Sequence, residues 1–294
     1  MKKIVSKIIN GKNHSKILLN EITKLTSRYN SINNRQPCLA VIIVGHNIAS
    51  KIYVKNKIKT ANLINIKSIE VSLSEDITEE DLLNEIKQLN QDMKIDGILV
   101  QLPLPKHIVE KKVINAISPF KDVDGFHPIN FGNLVLGNKT IVPCTPLGCW
   151  YMLKNEVKDL SGCHTVIVGR SNIVGKPIQS LMLKENCTVT ITHSKTKNLS
   201  NITNKADILI AAIGKPEYIT KKFMKTNSII IDVGINRLNK KLVGDVKFND
   251  AIGIAKKITP VPGGVGPMTI ACLMYNTVKL AFSAKNQSFN EILL

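Results

Sequence analysis

The sequence predicts an α/β protein made of two doubly wound domains around a cleft, the second of them Rossmann-like. Three observations predict it. Short apolar runs recur along the 294 residues, amphipathic stretches of helical length lie between them, and a break in mid-chain is followed by a fresh strand carrying a glycine turn. Most of the apolar runs are continuous rather than alternating, the pattern of strands covered on both faces, as in parallel sheets. A repeated strand, helix, strand cycle implies parallel strands joined by crossover helices. At about 150 residues per domain, the length allows two domains with a core each.

The elements follow in order. A helix at 13–29 precedes a strand at 39–44, a helix at 49–64, a strand at 69–73, a helix at 79–93 and a strand at 98–102. The strands are short runs rich in Ile, Val and Leu, and the helices carry apolar residues at three- and four-residue spacing. Gly, Pro and Thr interrupt the pattern at 138–146 and mark the first boundary. Beyond it come a helix at 146–156, a strand at 165–168, a helix at 176–184 and strands at 189–192, 208–213 and 229–233. A second break, Thr259-Pro260-Val261-Pro262-Gly263-Gly264-Val265-Gly266-Pro267, leads into a closing helix at 268–284, which is expected to return to the first domain. Residues 1–143 and 268–294 are thereby assigned to one domain and 144–267 to the other.

Composition narrows the function classes. A hydrophobic fraction of 44% excludes a disordered chain, and 40 Lys+Arg against 22 Asp+Glu leaves a formal charge of +18. The opening residues are basic, but Ser6 and Lys7 break their apolar pairs, so no signal-peptide core forms. No apolar run approaches the roughly 18 residues of a membrane span, so no membrane partner and a cytoplasmic location are expected. The six cysteines, at 38, 144, 149, 163, 187 and 272, include no CxxC pair and read as reduced, mostly buried residues. Lysines are scattered rather than clustered and Trp occurs once, so no basic and aromatic stripe for stacking bases is present and no nucleic-acid partner is expected. The charge suits an anionic small substrate, although abundant Lys, Ile and Asn also fit A/T-rich coding.

The clearest local motif is Val166-Ile167-Val168-Gly169-Arg170-Ser171-Asn172-Ile173-Val174-Gly175-Lys176-Pro177: an apolar strand, a turn with two glycines, and a helix with Pro in its first turn. A helix N-terminus presents N–H groups and positive dipole to a pyrophosphate, and glycines let the backbone come close. The spacing is GxSxxxG rather than GxGxxG, and an ordinary strand-to-helix turn stands beside this reading. The next strand ends in His193-Ser194-Lys195-Thr196, where an NAD site would place a carboxylate for the ribose 2′-hydroxyl. Arg170, Ser194 and Lys195 instead offer donors and positive charge for a 2′-phosphate, which favours NADP; the alternative is a set of solvated loop residues.

In the first half, Tyr53 and Lys57 stand at i and i+4 on one helix face, and Gln101 interrupts an apolar strand near its carboxyl end, where ligands bind in such sheets. Core aromatic, surface charge and satisfied buried amide are the plain alternatives. Lys121-Asp122-Val123-Asp124-Gly125-Phe126-His127-Pro128 puts two acids in a turn, a place where Asp also serves a purely structural purpose. His127 has no second His or Cys at ligand spacing, so no metal is assigned. Pro143-Cys144-Thr145-Pro146 implies no His partner for its thiol and reads as hinge structure.

Jointly these motifs, with Val44-Gly45 through Lys57, Gly97 through Pro105, Asp232-Val233-Gly234, Gly244-Asp245-Val246 and Thr259 through Thr269 in the same order, resemble the bifunctional methylenetetrahydrofolate dehydrogenase/methenyltetrahydrofolate cyclohydrolase family along nearly the whole chain. The resemblance implies two α/β domains flanking a cleft, NADP in the second, tetrahydrofolate derivatives in the cleft, and a homodimer. By position, Lys57 matches the family's catalytic lysine, Tyr53 its active-site tyrosine, Gln101 the glutamine beside the lysine and Asp124 the aspartate that holds the pterin; Gly264 and Pro267 match the loop lining the folate. On the coenzyme side the matching positions are Gly169, Arg170, Ser171, Ile173, Gly175, Ser194, Lys195 and Ile235. Departures are Cys38 where Gly is usual, and His46 and Ile48 where Asp and Pro are common; Lys195 replaces a frequent Arg and would grip a 2′-phosphate through one donor group rather than a fork. The implied chemistry is oxidation of 5,10-methylenetetrahydrofolate, then hydrolysis of the methenyl product to 10-formyltetrahydrofolate. Hydride transfer needs alignment above all, whereas hydrolysis needs a proton carrier, for which Lys57 is the candidate.

Overall fold

A computed structural model describes residues 7–293. Residues 1–6, on which the expectation about a signal peptide bears, lie outside the described residues. The chain forms two compact units. The first holds Ile17–Asn133, Lys139–Cys144 and 270–293; the second holds 7–16, Leu134–Asn138 and Thr145–Thr269.

In the first unit, β1 (Cys38–Val44) is the middle strand of a parallel sheet ordered β2-β1-β3, with β2 at Lys67–Leu73 and β3 at Gly97–Val100. Every β1 residue is buried, as its continuous apolar run requires, whereas edge strand β2 alternates between half-buried and exposed positions. Ala40, Ile42, Ile98 and Val100 share one sheet face and form a core with Leu82 and Ile86 of α3 (Glu79–Gln91) and Val113 of α4 (Glu110–Ala116). Each such large side chain contributes about 1.5–3 kcal/mol on burial. The helices start where their caps stand. The Asn47 side chain accepts from Ser50 N at the start of α2 (Ile48–Leu63), and that of Thr78 from Asp81 N in α3, whose first turn carries Glu79, Glu80 and Asp81 against the positive helix end.

Asp96 anchors β1 from below: its carboxylate receives both guanidinium arms of Arg35, at 2.8 and 2.6 Å, and Cys38 N at 2.8 Å. The carboxylate is almost wholly buried, so Asp96→Ala, which strands the guanidinium and the strand-opening N–H, is expected to cost about 3 kcal/mol in urea unfolding.

The second unit contains a five-stranded parallel sheet ordered β10-β7-β6-β4-β5, with β4 at His164–Val168, β5 at Thr188–Thr192, β6 at Ile208–Ala211, β7 at Ile229–Asp232 and β10 at Lys257–Ile258. The chain leaves β4 for β5 on one side and then resumes with β6 on the other. The strand order therefore reverses between β4 and β6, and the loops leaving their carboxyl ends part there, the place where doubly wound sheets take ligands. The core of this unit includes Val166, Val168, Leu209 and Ile230. Both sheets are parallel within an α/β architecture, as the continuous apolar runs predicted.

The sequence division placed the whole amino-terminal segment with the first domain, but 7–16 packs in the second unit. Its backbone completes the open edge of β10: Ile258 N donates to Lys7 O and Ile9 N to Ile258 O, both at 2.8 Å. An unpaired strand edge offers those bonds, and no side-chain pattern in the segment announces them. Leu134–Asn138 also falls in the second unit. Helix α10 (Val265–Ala284) begins in the second unit and from Ile270 belongs to the first, while α1 (Gly11–Asn33) and α6 (Cys144–Glu156) likewise pass from one to the other. Elements the periodicity did not register are short: α4, α5 (Pro128–Val135), α8 (Leu199–Thr203), α9 (Phe248–Ile254), the hairpin β8–β9 (Asn236–Leu238, Lys241–Val243) and β10. Among the described residues no helix is long and apolar enough to cross a membrane.

Candidate active site

In the first unit the strand order also reverses, between β1 and β3, and the residues of interest gather at that end. The chain leaves β1 through Gly45, whose φ of +78° a Cβ would strain, and enters α2. Tyr53 and Lys57 lie on α2; Lys57 is half-buried and Tyr53 is 37% exposed. The expected strand at 98–102 ends at Val100, and Gln101 sits one residue beyond it with its N–H still on Ile42 O. Its side-chain amide donates to Leu102 O at 2.7 Å, which turns Oε1 toward the lysine; Lys57 Nζ donates to that oxygen at 2.9 Å. Gln101 is thus a half-buried loop amide satisfied at both ends, and its oxygen is the acceptor for the Lys57 amine.

The two acids of the following turn divide the work. Asp122 is the structural one, for its Oδ2 accepts from His127 N and Asn130 Nδ2 at 2.8 and 2.9 Å. Asp124 lines, with Asp122, a mostly apolar cavity formed by Val100, Leu102, Ile114 and Phe126, and its carboxyl is raised to about 6, chiefly by burial, with the Lys57 charge opposing and Asp122 adding to the rise. Gly125, at φ +68°, lets this turn lie against 141–143: a Cβ would come within 2.8 Å of Pro143 N. Cys144 Sγ donates to Val123 O at 3.3 Å and to Asp124 Oδ1 at 3.8 Å, and burial pushes its thiol well above the ordinary range, so it keeps its proton. Asn276 of α10 donates to both Val123 O and Val142 O at 2.9 Å and joins the two loops. The sequence reading passed over Asn276; its signal is a lone buried amide after Ala271-Cys272-Leu273-Met274-Tyr275.

The coenzyme-side positions all fall in the second unit. Gly169, at φ +131°, and Gly175 are held by contact: added Cβ atoms would stand 2.2 Å from Ala212 O and from Gly169 O respectively. Ser171 Oγ accepts from Val174 N and Gly175 N at 3.2 and 3.4 Å and so caps α7 (Gly175–Lys184) from within the loop. Ile173 is half-buried beside it. At the end of β5, His193 N donates to Thr196 Oγ1 and Thr196 N to His193 O, a turn that leaves Ser194 and Lys195 exposed. Arg170 is exposed too, and among the described residues neither it nor Lys195 forms an ion pair. The donor types fit NADP: two cations and a hydroxyl on the turns after β4 and β5, and a glycine turn too tight for any side chain. Ile235 is 45% exposed, with Cδ1 3.7 Å from where a Cβ on Gly266 would stand. Gly264 is buried, with its carbonyl against Gly11, and Pro267 O accepts from Ser15 Oγ at 3.1 Å. These two positions belong to the unit of the glycine turn, whereas Lys57, Gln101 and Asp124 belong to the other. Among the described residues no group of three or more His, Cys, Asp or Glu side chains is arranged to hold a metal.

Two family models match the chain: "Tetrahydrofolate dehydrogenase/cyclohydrolase, catalytic domain" over residues 9–124 and "Tetrahydrofolate dehydrogenase/cyclohydrolase, NAD(P)-binding domain" over residues 143–285. The bifunctional protein FolD of Acetivibrio thermocellus is 53% identical over 277 residues, 94% of this chain and 97% of that protein. The crystal structure of the bifunctional FolD methylenetetrahydrofolate dehydrogenase/cyclohydrolase from Campylobacter jejuni superposes with a TM-score of 0.92 at 46% identity, covering 94% of this chain and 98% of that one. The Trypanosoma brucei enzyme, crystallised with NADP cofactor and an inhibitor, gives a TM-score of 0.90 at 33% identity, covering 96% and 98%. With models of both domains matched in order, and relatives of this identity matched along almost their full length, this chain belongs to the tetrahydrofolate dehydrogenase/cyclohydrolase family.

Proposed function

We propose that this bifunctional enzyme oxidises 5,10-methylenetetrahydrofolate with NADP and hydrolyses the resulting methenyl compound to 10-formyltetrahydrofolate, with Lys57, Gln101, Tyr53 and Asp124 handling the folate. The observation that carries the assignment is the Lys57 Nζ to Gln101 Oε1 bond of 2.9 Å, with Gln101 itself oriented by Leu102 O. An amine so aimed is ready to take a proton from attacking water and return it as the ring opens. The Asp124 carboxylate has two acceptor oxygens, of which Oδ1 also receives the Cys144 thiol, and a carboxylate is the group that pairs with adjacent N–H donors on a pterin edge. Tyr53, one helical turn before Lys57, packs and orients the ring. NADP, when bound, supplies the hydride acceptor. Dehydrogenation leaves a carbon cation already stabilised by two nitrogens, so the protein's part in that step is alignment and exclusion of water.

Coenzyme choice tests the second half of this reading. Arg170, Ser194 and Lys195 replace an acidic ribose partner, so the catalytic efficiency with NADP exceeds that with NAD, and Lys195→Ala lowers efficiency with NADP about tenfold while leaving that with NAD within twofold, one lost charge-assisted contact being worth roughly 1.5–3 kcal/mol at most. Equal efficiency of the parent with both coenzymes rejects the assignment of these three residues. Family membership supports a homodimer, which the mass of the particle in solution tests. The six free thiols suit a reducing compartment and support a cytoplasmic location. The charge of +18 is assigned to capture of an anionic folate rather than of nucleic acid.

A further inference from the structure

Two motif runs quoted above have no part in any of these assignments: Asp232-Val233-Gly234 and Gly244-Asp245-Val246. In the structure they interlock. Both carboxylates are buried, at 3% and 0% exposure, and among the described residues neither has a cation for its partner; backbone N–H groups take that place. Asp245 Oδ2 accepts from Ile213 N at 2.7 Å and Gly214 N at 3.0 Å, while its Oδ1 accepts from Lys215 N at 2.8 Å and from the Asn236 side-chain amide at 2.9 Å. Asp232 Oδ1 accepts from Gly234 N at 3.0 Å and Asp245 N at 2.9 Å, and its Oδ2 from Val246 N at 2.9 Å. The two glycines are what allow this approach. A Cβ on Gly244 would stand 1.8 Å from Asp232 Oδ2, and one on Gly234 would stand 2.3 Å from Asp245 Oδ1. Each aspartate thus occupies the space beside the other's glycine.

The segments tied together are the loop after β6, the loop after β7 and the strand-end at 244–246. The first leaves the sheet at its point of reversal and lies directly against the Gly169 turn, since a Cβ on Gly169 would meet Ala212 O at 2.2 Å. The second carries Ile235. A carboxylate receiving four donors is a fixed centre for both. Left without it, three consecutive N–H groups at 213–215 would turn to other partners and carry the loop with them.

We propose that the Asp232–Asp245 interlock is a positioning device for the coenzyme: it sets the loops after β6 and β7 against the Gly169 turn, and Asp245 is a positioning residue for NADP binding rather than for the folate chemistry. The inference rests on the assignment of NADP to the carboxyl end of the second sheet. An Asn at 245 cannot accept from both donor pairs, because in either orientation its NH2 faces a backbone N–H. The test is NADP titration by calorimetry beside a cyclohydrolase assay run without coenzyme. Asp245→Asn is expected to weaken NADP binding at least tenfold and to leave cyclohydrolase kcat/KM within twofold of the parent. Asn236→Ala, which removes one donor of the four from a half-exposed site, should weaken NADP about threefold in the same sense. NADP affinity unchanged in folded Asp245→Asn, or a parallel loss of both readouts, overturns the proposal; should that variant fail to fold, unchanged affinity in Asn236→Ala overturns it. A parent protein that does not bind NADP at all removes the coenzyme assignment and the interlock's role together, whereas a parent that binds and a variant that binds equally well removes only the latter.

Discussion

Lys57→Met should abolish the cyclohydrolase reaction while leaving a measurable dehydrogenase. Met keeps most of the lysine's unbranched stem, so packing along α2 is largely retained, but it has no proton to hold or release. A positioned acid or base contributes about a hundred- to ten-thousand-fold. Loss of the amine is therefore expected to lower methenyltetrahydrofolate hydrolysis by roughly three orders of magnitude, which is the middle of that range. Dehydrogenation asks for no such proton, and its rate should fall far less, through altered placement of the ring. The ratio of the two activities in the variant is the decisive quantity, read as coenzyme reduction at one wavelength and decay of the methenyl absorbance at another. Hydrolysis at the parent rate would remove Lys57 from the chemistry while leaving the family assignment untouched. Gln101→Leu offers a graded companion: it frees the amine from its 2.9 Å partner without deleting it, so hydrolysis should drop by less than in Lys57→Met.

Asp124→Ala should damage both reactions, because both use the same bound pterin. Removing a carboxylate that accepts paired N–H bonds from a partly buried ligand costs about 2–3 kcal/mol, or roughly a thirty- to 160-fold rise in KM for each folate substrate. The parent carries a second signature. Burial holds the Asp124 carboxyl at about 6 in the unliganded protein, and only the ionised form accepts two N–H donors. Folate affinity is thus fully present above that pH and is lost as pH falls through it. The KM for both substrates should rise on the acid side of pH 6 in the parent, and Asp124→Asn should show a KM that is already high and flat across the same range. A parent KM independent of pH between 5 and 7 would take Asp124 out of contact with the substrate.

Much of this was legible along the chain because it depends on local periodicity. The seven apolar runs are seven strands of the two main sheets, and the boundaries differ by one or two residues, as at Gln101, where the ladder's last N–H bond outlasts the strand. The i, i+4 spacing of Tyr53 and Lys57 required only that α2 be a helix. Gly169 and Gly175 announced a tight turn because no other residue tolerates such backbone approach. The elements missed, such as α8 and the β8–β9 hairpin, are too short for a period to show against their neighbours.

Other features depend on partners far away in sequence, and these only the tertiary structure decided. Sequence alone could not divide the labour between Asp122 and Asp124, two acids two residues apart. Packing distinguishes them, by giving Asp122 the His127 N–H and the Asn130 amide and by giving Asp124 only the Cys144 thiol, with Lys57 in electrostatic reach. Nor could it pair Asp232 with Gly244 and Asp245 with Gly234, since what makes each glycine necessary is the other run's carboxylate. The amino-terminal segment joins the second sheet for a reason written in no side chain, namely the unpaired backbone groups of β10. Periodicity and turn chemistry are short-range and survive in one dimension. Burial of a charge, closure of a strand edge and contact between backbones are properties of neighbours that the chain acquires only when folded.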